Sequence, residues 1–292
     1  MTLNLELLKE LVVFQKYGTL SATAEHLMIT QPSVTRGMRK LEEDLGVTLF
    51  DRKISNHITL NATGKLAAIE AQKLLLASNS FTDKVLNYDQ SQRELTIASV
   101  APGPIRLLEN KRADLPDKLT ITPQSITQDQ VVPDLQGFKE RLIFTNAEIM
   151  TDDIESRYLG TEYLGLGIDK FNPLAQEKMV TFNDLAGISF LVVQDIGPWK
   201  KIIEDNIPHA SFLYQEDLDA MSQVSRYSSF PFFFSNLTRK STTTINRFDN
   251  DSRNAIKIAD PQNKIDFYGT YLKKDRQMLQ PLLRKINQLW PN

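Results

Sequence analysis

The stretch from residue 30 to residue 40 combines an amide, several hydroxyls and basic groups within three helical turns. The amide of Gln31 can donate and accept hydrogen bonds at once, which matches the N6/N7 edge of adenine. The guanidinium of Arg36 can form two bonds to guanine O6 and N7, or bind a phosphate. Ser33 is small enough to allow close approach to base edges, and Thr35 can bond to a phosphate. This combination of residue types is typical of a nucleic-acid-reading helix.

The apolar residues around these side chains predict the helix that must position them. Their steps of four, three and four residues place them on one side: Val34, Met38, Leu41 and Leu45. A helix held by a core from behind can present its polar face to the DNA major groove. The predicted DNA contacts are that face and two more distant side chains: Thr30, Gln31, Pro32, Ser33, Thr35, Arg36, Arg39, Lys40, Lys53 and His57. The alternative for each is a solvated surface side chain.

Composition excludes several classes of protein. The chain has no cysteine, which excludes disulfides, thiolate metal sites and a cysteine nucleophile, and fits a cytoplasmic location. The first residues form no signal peptide, and no apolar run approaches the ~18 residues of a membrane span, so no membrane partner is expected. The net charge of −2 argues mildly against a nucleic-acid binder, but residues 31–40 hold three basic side chains and no acid.

The sequence contains no recognisable catalytic or cofactor motif. Its three histidines, His26, His57 and His209, are far apart, and no nucleophile elbow, P-loop or dinucleotide-binding motif occurs. We therefore expect no catalytic residue, no metal site and no cofactor. Two alternatives stay open, namely a solute-binding or sensing protein whose N-terminal module mediates protein interaction, and an enzyme within the C-terminal part.

Three short helices and a hairpin are predicted at the N-terminus. The first helix covers about 4–17, and two short β patterns at 48–51 and 58–60 flank a polar tip at 53–57. Four residues are expected to cap or end the helices: Gly18, Ser21, Thr30 and Gly46. The acidic run 42–44 is interpreted as a solvated face that partly pairs with Arg39 and Lys40.

A long helix is predicted over 62–90, about 40 Å at ~1.5 Å per residue. A heptad seam runs along it: Ala67, Ala71, Leu74, Ser78, Phe81, Val85 and Tyr88. A second copy of the chain can bury such a seam, which predicts a homodimer. The alternative is a helix packed on its own domain.

The remaining chain alternates strand and helix patterns, which predicts an α/β domain. Strands are expected at 95–99, 119–123, 141–145, 163–168, 190–193, 230–234, 256–259 and 265–272. Helices are expected at 105–110, 129–138, 198–206, 217–227 and 277–290. Trp199, Phe230, Phe232 and Phe234 are assigned to the core.

The N-terminal residues resemble the winged helix-turn-helix of LysR-type transcriptional regulators. The resemblance spans about sixty residues without gaps and rests on these positions: Ala24, Leu27, 30–36, 41–47, 49–52, Thr59, Leu60 and Gly64. The long helix is similar to that family's dimerisation helix. The C-terminal part looks like the family's effector domain, which is similar to periplasmic solute-binding proteins, through its strand order and the segments 172–175 and 184–187.

The resemblance implies an α+β multidomain protein. A winged helix-turn-helix would occupy 1–61, a linker helix 62–90 and a two-lobed α/β effector domain 91–292. Lobe I would comprise about 91–161 and 265–292, and lobe II about 162–264. The implied function is a regulator that reads a dyad-symmetric promoter site and responds to a small-molecule effector. Its partners would be double-stranded DNA, itself as homodimer or homotetramer, and RNA polymerase if it activates.

Folds of this kind bind small molecules between lobes, at the carboxyl ends of strands and the N-termini of helices. Six residues at such places are the predicted effector contacts: Ser99, Val100, Thr145, Asn146, Gln194 and Gly197. The alternative is that Ser99 and Thr145 only cap turns or helices.

Overall fold

The computed structural model describes residues 3–54, 57–238 and 253–291, without the side chains of 52–57. The chain divides into two compact units, Met1–Leu86 and Asn87–Asn292. Within the described ranges, no helix is long and apolar enough to cross a membrane.

The first unit contains three short helices, a hairpin and most of a long helix. These are α1 (Leu5–Tyr17), α2 (Leu20–Leu27), α3 (Gln31–Leu45), β1 (Phe50–Ile54), β2 (His57–Leu60) and α4 (Ala62–Ser91). Strands β1 and β2 pair antiparallel, with Phe50 opposite Leu60, so the predicted hairpin is confirmed. Val34, Met38 and Leu41 of α3 are buried in the core of this unit, as their spacing predicted.

Helix caps agree with the sequence in three of four cases. Thr30 caps α3, while Gly18 and Gly46 end α1 and α3 in the left-handed region at φ 76° and 70°. The predicted cap Ser21 is wrong. Thr19 has the extended backbone of an N-cap, and its hydroxyl accepts a hydrogen bond from the Ala22 N–H at 3.1 Å.

The acidic run at the end of α3 is only partly a solvated face. Lys40 pairs with Asp44 at 2.8 Å, as expected. Glu42 is buried, however, and its Oε1 accepts hydrogen bonds from the backbone N–H groups of Leu49 (2.7 Å) and Phe50 (3.2 Å). The two backbone donors compensate the carboxyl group for the hydration that it loses on burial. Glu42 thus connects α3 to the start of β1.

The helix α4 uses its two halves differently. Near its start, Ala68 and Ala71 are buried in the core of the first unit, and Gly64 lies so close to the Leu49 carbonyl that a Cβ there would be 2.1 Å from its oxygen. The first positions of the predicted seam therefore pack on their own unit. Further along, Leu74 is 41% exposed and Phe81 70% exposed, so the middle of the seam lies open within the described chain. The last seam residue, Tyr88, contacts the Phe138 ring of its own chain, with ring centroids 5.1 Å apart.

A five-stranded sheet forms one half of the second unit. Its order is β4 (Leu119–Ile121), β3 (Leu95–Ser99), β5 (Leu142–Thr145), β13 (Ile265–Leu272) and β6 (Ile154–Glu162). The first three strands are parallel, and β13 is antiparallel to both its neighbours. Three helices accompany this sheet in the chain: α5 (Pro102–Asn110), α6 (Val131–Gln136) and α9 (Arg276–Leu289).

A six-stranded sheet forms the other half. Its order is β10 (Ser211–Gln215), β9 (Ser189–Val193), β11 (Phe232–Ser235), β7 (Leu164–Asp169), β12 (Arg253–Ile258) and β8 (Met179–Val180), with helices α7 (Trp199–Asn206) and α8 (Leu218–Arg226). The prediction missed β6, β8 and β10. β10 is an edge strand, β8 has two residues, and β6 has no regular alternation of buried and exposed side chains.

Candidate DNA interface and ligand cavity

One face of α3 is solvent-exposed and polar, while the opposite face is buried. Gln31, Arg36 and Arg39 are exposed, whereas Val34 and Met38 are almost fully buried. Proline in the first turn is tolerated because its missing N–H would have no helical partner there. The predicted contact residues of α3 are therefore on its outer face, and the core of the unit does not need their side chains.

Local hydrogen bonds hold the polar side chains at the start of α3. The Ser21 hydroxyl donates to Gln31 Oε1 at 3.1 Å, which leaves the amide NH2 of Gln31 available as a donor. Arg36 Nη2 donates to Ser33 Oγ at 3.4 Å. Thr35 donates its hydroxyl proton to the Gln31 carbonyl at 3.0 Å, so only its lone pairs remain free. Since phosphates accept hydrogen bonds, this geometry disfavours the predicted phosphate contact of Thr35.

Two predicted DNA contacts, Lys53 and His57, belong to the hairpin of β1 and β2. The backbones of Lys53 and His57 lie in β1 and β2, but their side chains lie outside the described residues. Their contact with the DNA backbone therefore stays a prediction.

The predicted effector residues are split between buried and exposed places. Ser99 Oγ accepts a hydrogen bond from the Ala101 N–H at 3.1 Å, and Thr145 Oγ1 donates to the Ala147 carbonyl at 2.8 Å. Both hydroxyls are fully buried, as the alternative of turn capping requires. Asn146 and Gln194 are exposed.

Two of the predicted effector residues meet. Gly197 has φ 56°, and a Cβ there would lie 2.9 Å from the Val100 carbonyl oxygen. Only glycine allows this approach between the loop before α7 and the end of β3 without strain. None of the six predicted effector residues is among the described wall residues of the two cavities that follow.

An apolar cavity of about 110 Å³ lies between α5, α7 and the six-stranded sheet. Its walls include the apolar side chains Leu191, Trp199, Ile203, Met221 and Phe232. Trp199 and Phe232, assigned to the core from the sequence, are buried and also face this cavity. Phe230, assigned to the core with them, is 36% exposed, so that assignment is wrong.

A buried carboxyl group, Glu162, forms part of the wall of this cavity. It is 2% exposed, and Trp199 Nε1 donates to its Oε2 at 2.8 Å. Burial raises the pKa of Glu162, while hydrogen bonds from Ser235 and Trp199 partly oppose this rise. The sequence analysis missed Glu162. The available signal was an acidic residue between two strand-like apolar segments, at the point where β6 ends and β7 begins.

A second, wider cavity of about 480 Å³ adjoins the first. The two share wall residues from both halves of the unit: Pro102, Arg106, Val193, Asp195 and Leu218. The wider cavity carries five carboxylate side chains: Glu109, Asp195, Glu216, Asp217 and Asp219. Arg106 is the single basic side chain among its described wall residues. The apolar cavity is thus adjoined by a cavity with mainly acidic charged residues in its walls.

Comparison with known proteins agrees with the geometry of α3. Residues 5–65 match the family model for the bacterial regulatory helix-turn-helix protein, lysR family. The uncharacterised HTH-type transcriptional regulator YwqM of Bacillus subtilis is 25% identical over 223 residues, covering 74% of this chain and 75% of that protein. The transcriptional activator CmpR of Synechocystis is 26% identical over 173 residues, covering 58% and 56%.

Solved structures show the same fold over the whole chain. A full-length OxyR variant from Pseudomonas aeruginosa matches with a TM-score of 0.53 and 15% identity, covering 98% of this chain and 95% of that one. Full-length CbnR, solved in complex with its target DNA, matches with a TM-score of 0.51 and 20% identity, covering 99% of each chain.

The fold and the helix-turn-helix define a DNA-binding transcriptional regulator. Residues 5–65 match the lysR-family helix-turn-helix, and over 74% of its length the chain is similar to the transcriptional regulator YwqM. The expected fold class, a winged helix-turn-helix with a C-terminal α/β part, is confirmed. Both relatives are named as transcriptional regulators, which agrees with the expectation of a regulator and not an enzyme.

Proposed function

We propose that the protein reads a dyad-symmetric promoter site through α3 and responds to a small molecule bound in its C-terminal unit. The observation that carries the DNA-reading part is the division of α3 into a buried apolar face and an exposed polar face. Such a helix can enter the major groove while its other side stays packed.

The contacts are expected to divide into base reading and phosphate binding. Gln31, with a free amide NH2, reads one base, an adenine by its donor and acceptor pattern. Arg36 reads a guanine or binds a phosphate. Ser33 allows the helix to approach the base edges closely. The other proposed contacts position the helix on the DNA backbone: Thr30, Pro32, Arg39, Lys40, Lys53 and His57.

A homodimer is proposed to supply two copies of α3. The exposed apolar residues in the second half of α4 support it, since a second copy of the helix can bury them. A tetramer would be built from two such dimers. Two copies of α3 read half-sites about one helical turn apart, ~34–36 Å. CbnR, whose fold this chain shares, was solved with its target DNA, which supports DNA as the partner. We place the protein in the cytoplasm, with RNA polymerase as a further partner if it activates.

The small-molecule response is proposed for the two adjoining cavities of the second unit. Val100 and Gly197 stay in this proposal as the close contact beside them, while Ser99 and Thr145 support the turns that follow β3 and β5. Asn146 and Gln194 remain exposed candidates at the strand ends.

Fluorescence anisotropy with the full-length protein and point-varied duplexes tests the reading helix. If Arg36 binds a guanine, Arg36→Ala costs ~1–3 kcal/mol and relaxes specificity at one base pair. If it binds a phosphate, affinity falls evenly on all duplexes and the salt slope shrinks by about one. Gln31→Ala is expected to lose discrimination at one position with little change in salt slope.

Lys9→Ala is the matched control, because it removes one exposed charge from α1 of the same unit. It should leave discrimination between duplexes unchanged. If both α3 variants bind every duplex as the unaltered protein does, α3 is not the reading helix and the proposal is wrong.

A further inference from the structure

The dimensions and lining of the apolar cavity limit what it can hold. Its volume of about 110 Å³ is close to that of cavities of ~150 Å³ known to admit benzene. Leu191, Ile203 and Met221 contribute apolar wall, so the part of a ligand inside must be apolar and no larger than a ring or a short alkyl chain.

The polar features of the wall limit the ligand's head group. The Glu162 carboxyl packs closely against Gly103, because a Cβ at Gly103 would lie 2.3 Å from Glu162 Oε1. The carboxyl accepts from Trp199 at Oε2 and also bonds to Ser235, and its two oxygens together retain acceptor sites for another donor. A carboxyl without solvent favours a ligand that donates a hydrogen bond or carries positive charge.

The adjoining wide cavity also favours a ligand with positive charge. Five acidic residues line it against one arginine, and Asp217 among them accepts a helix-capping hydrogen bond. A ligand carboxylate or phosphate would therefore meet like charge on its way in. Asp195 and Arg106 both lie in the walls of the two cavities, and Asp195 can attract a cation at their junction because the acidic residues of these walls outnumber the one arginine.

We propose that the ligand of this unit is a small organic amine, with its apolar body in the inner cavity and its protonated nitrogen between Glu162 and Asp195. This inference rests on the proposed small-molecule response and names the chemical class of the effector. It depends on the cavity walls and not on α3, so the two parts can fail separately.

Charge-matched ligand pairs test the proposal on the full-length protein. The probes are benzylamine against benzoate, and butylamine against butyrate, with benzyl alcohol as the neutral analogue. Binding is measured as a shift in melting temperature and as a change in tryptophan emission, since Trp199 is one of only two tryptophans. An amine is expected to stabilise the protein and change its emission, whereas the matched acid does neither.

Two variants test whether the proposed side chains bind the amine. Glu162→Gln and Asp195→Asn should each weaken the amine by about tenfold, the value of one favourable charge contact of ~1.4 kcal/mol. Glu177→Gln is the control, because it removes one exposed charge from the same unit outside both cavities. If Glu162→Gln does not fold, the exposed Asp195 still provides the test.

Three results would overturn the inference. They are binding of the acids or the alcohol as tight as that of the amines, unchanged amine affinity in both cavity variants, and no binding by any amine in the panel. DNA anisotropy on the same samples separates the two proposals. DNA binding without amine binding would refute only the ligand class, and amine binding without DNA binding would refute only the reading helix.

Discussion

Arg141 and Asp275, 134 residues apart in the chain, form a buried ion pair with Nη1 and Oδ1 2.6 Å apart. Their side chains are 8% and 10% exposed. Arg141 also donates from Nε (3.2 Å) and Nη2 (2.8 Å) to the carbonyl of Ser91, the last residue of α4. The guanidinium thus fastens the end of α4 to β5 and to the start of α9.

We expect Asp275→Ala to lower the free energy of unfolding by about 3–5 kcal/mol. It leaves the Arg141 charge buried without its partner, which is more costly than the pair itself is stabilising. Asp89→Ala is the control, since it breaks the exposed Arg93–Asp89 pair and should cost about 0–1 kcal/mol. Urea denaturation compares them, and equal losses would show that Arg141 finds other compensation.

Glu42→Ala should destabilise the first unit by about 2–6 kcal/mol. The backbone N–H groups of Leu49 and Phe50 would both lose their buried acceptor, at about 1–3 kcal/mol each. Glu42→Gln keeps an acceptor oxygen and should recover part of the loss, while the exposed neighbour Glu43→Ala should have little effect. Thermal melts test this order, and a loss at Glu43 equal to that at Glu42 would contradict it.

Leu74→Glu or Phe81→Glu should shift the protein from dimer to monomer or aggregate. Both side chains are exposed apolar members of the seam of α4, and a charge there cannot be buried against a second copy. Gln72→Glu adds the same charge away from the seam and should leave the dimer intact. Sedimentation at micromolar concentration measures the state, and a monomeric unaltered protein would refute the dimer.

Stability should depend on pH through Glu140. This residue is buried, Thr122 Oγ1 donates to its Oε1 at 2.7 Å, and burial raises its pKa above 4.5. The folded state therefore favours the protonated carboxyl. The stabilisation is complete below the ordinary pKa and is lost as pH rises through the raised value.

Glu140→Gln removes this titration, so its free energy of unfolding relative to that of the unaltered protein should increase as pH rises from the ordinary pKa of glutamate through the raised value. Urea denaturation at several pH values measures the difference. A difference that stays constant, or that falls as pH rises, would contradict the assigned cause.

Sequence alone determined the helices of the first unit and most strands of the second. The cap Thr30, the terminator Gly46 and the stripe at Val34, Met38 and Leu41 depend on backbone and neighbours a few residues away. Residue types and spacing therefore predicted α3 and its exposed face correctly. The match with known regulators spans this same region, residues 5–65.

Tertiary structure decided which polar groups are buried and what they face. Glu42 and Glu162 are ordinary acidic residues in the sequence. Each can be buried because donors elsewhere in the chain compensate its carboxyl group, and one of the donors to Glu162 is Trp199, 37 residues away. The hydroxyls of Ser99 and Thr145 are likewise buried with hydrogen-bond partners, the Ala101 N–H and the Ala147 carbonyl. β6 was missed because its stability comes from pairing with β13, over a hundred residues later. Short-range patterns cannot contain such partners, since desolvation and pairing depend on groups that only folding brings together.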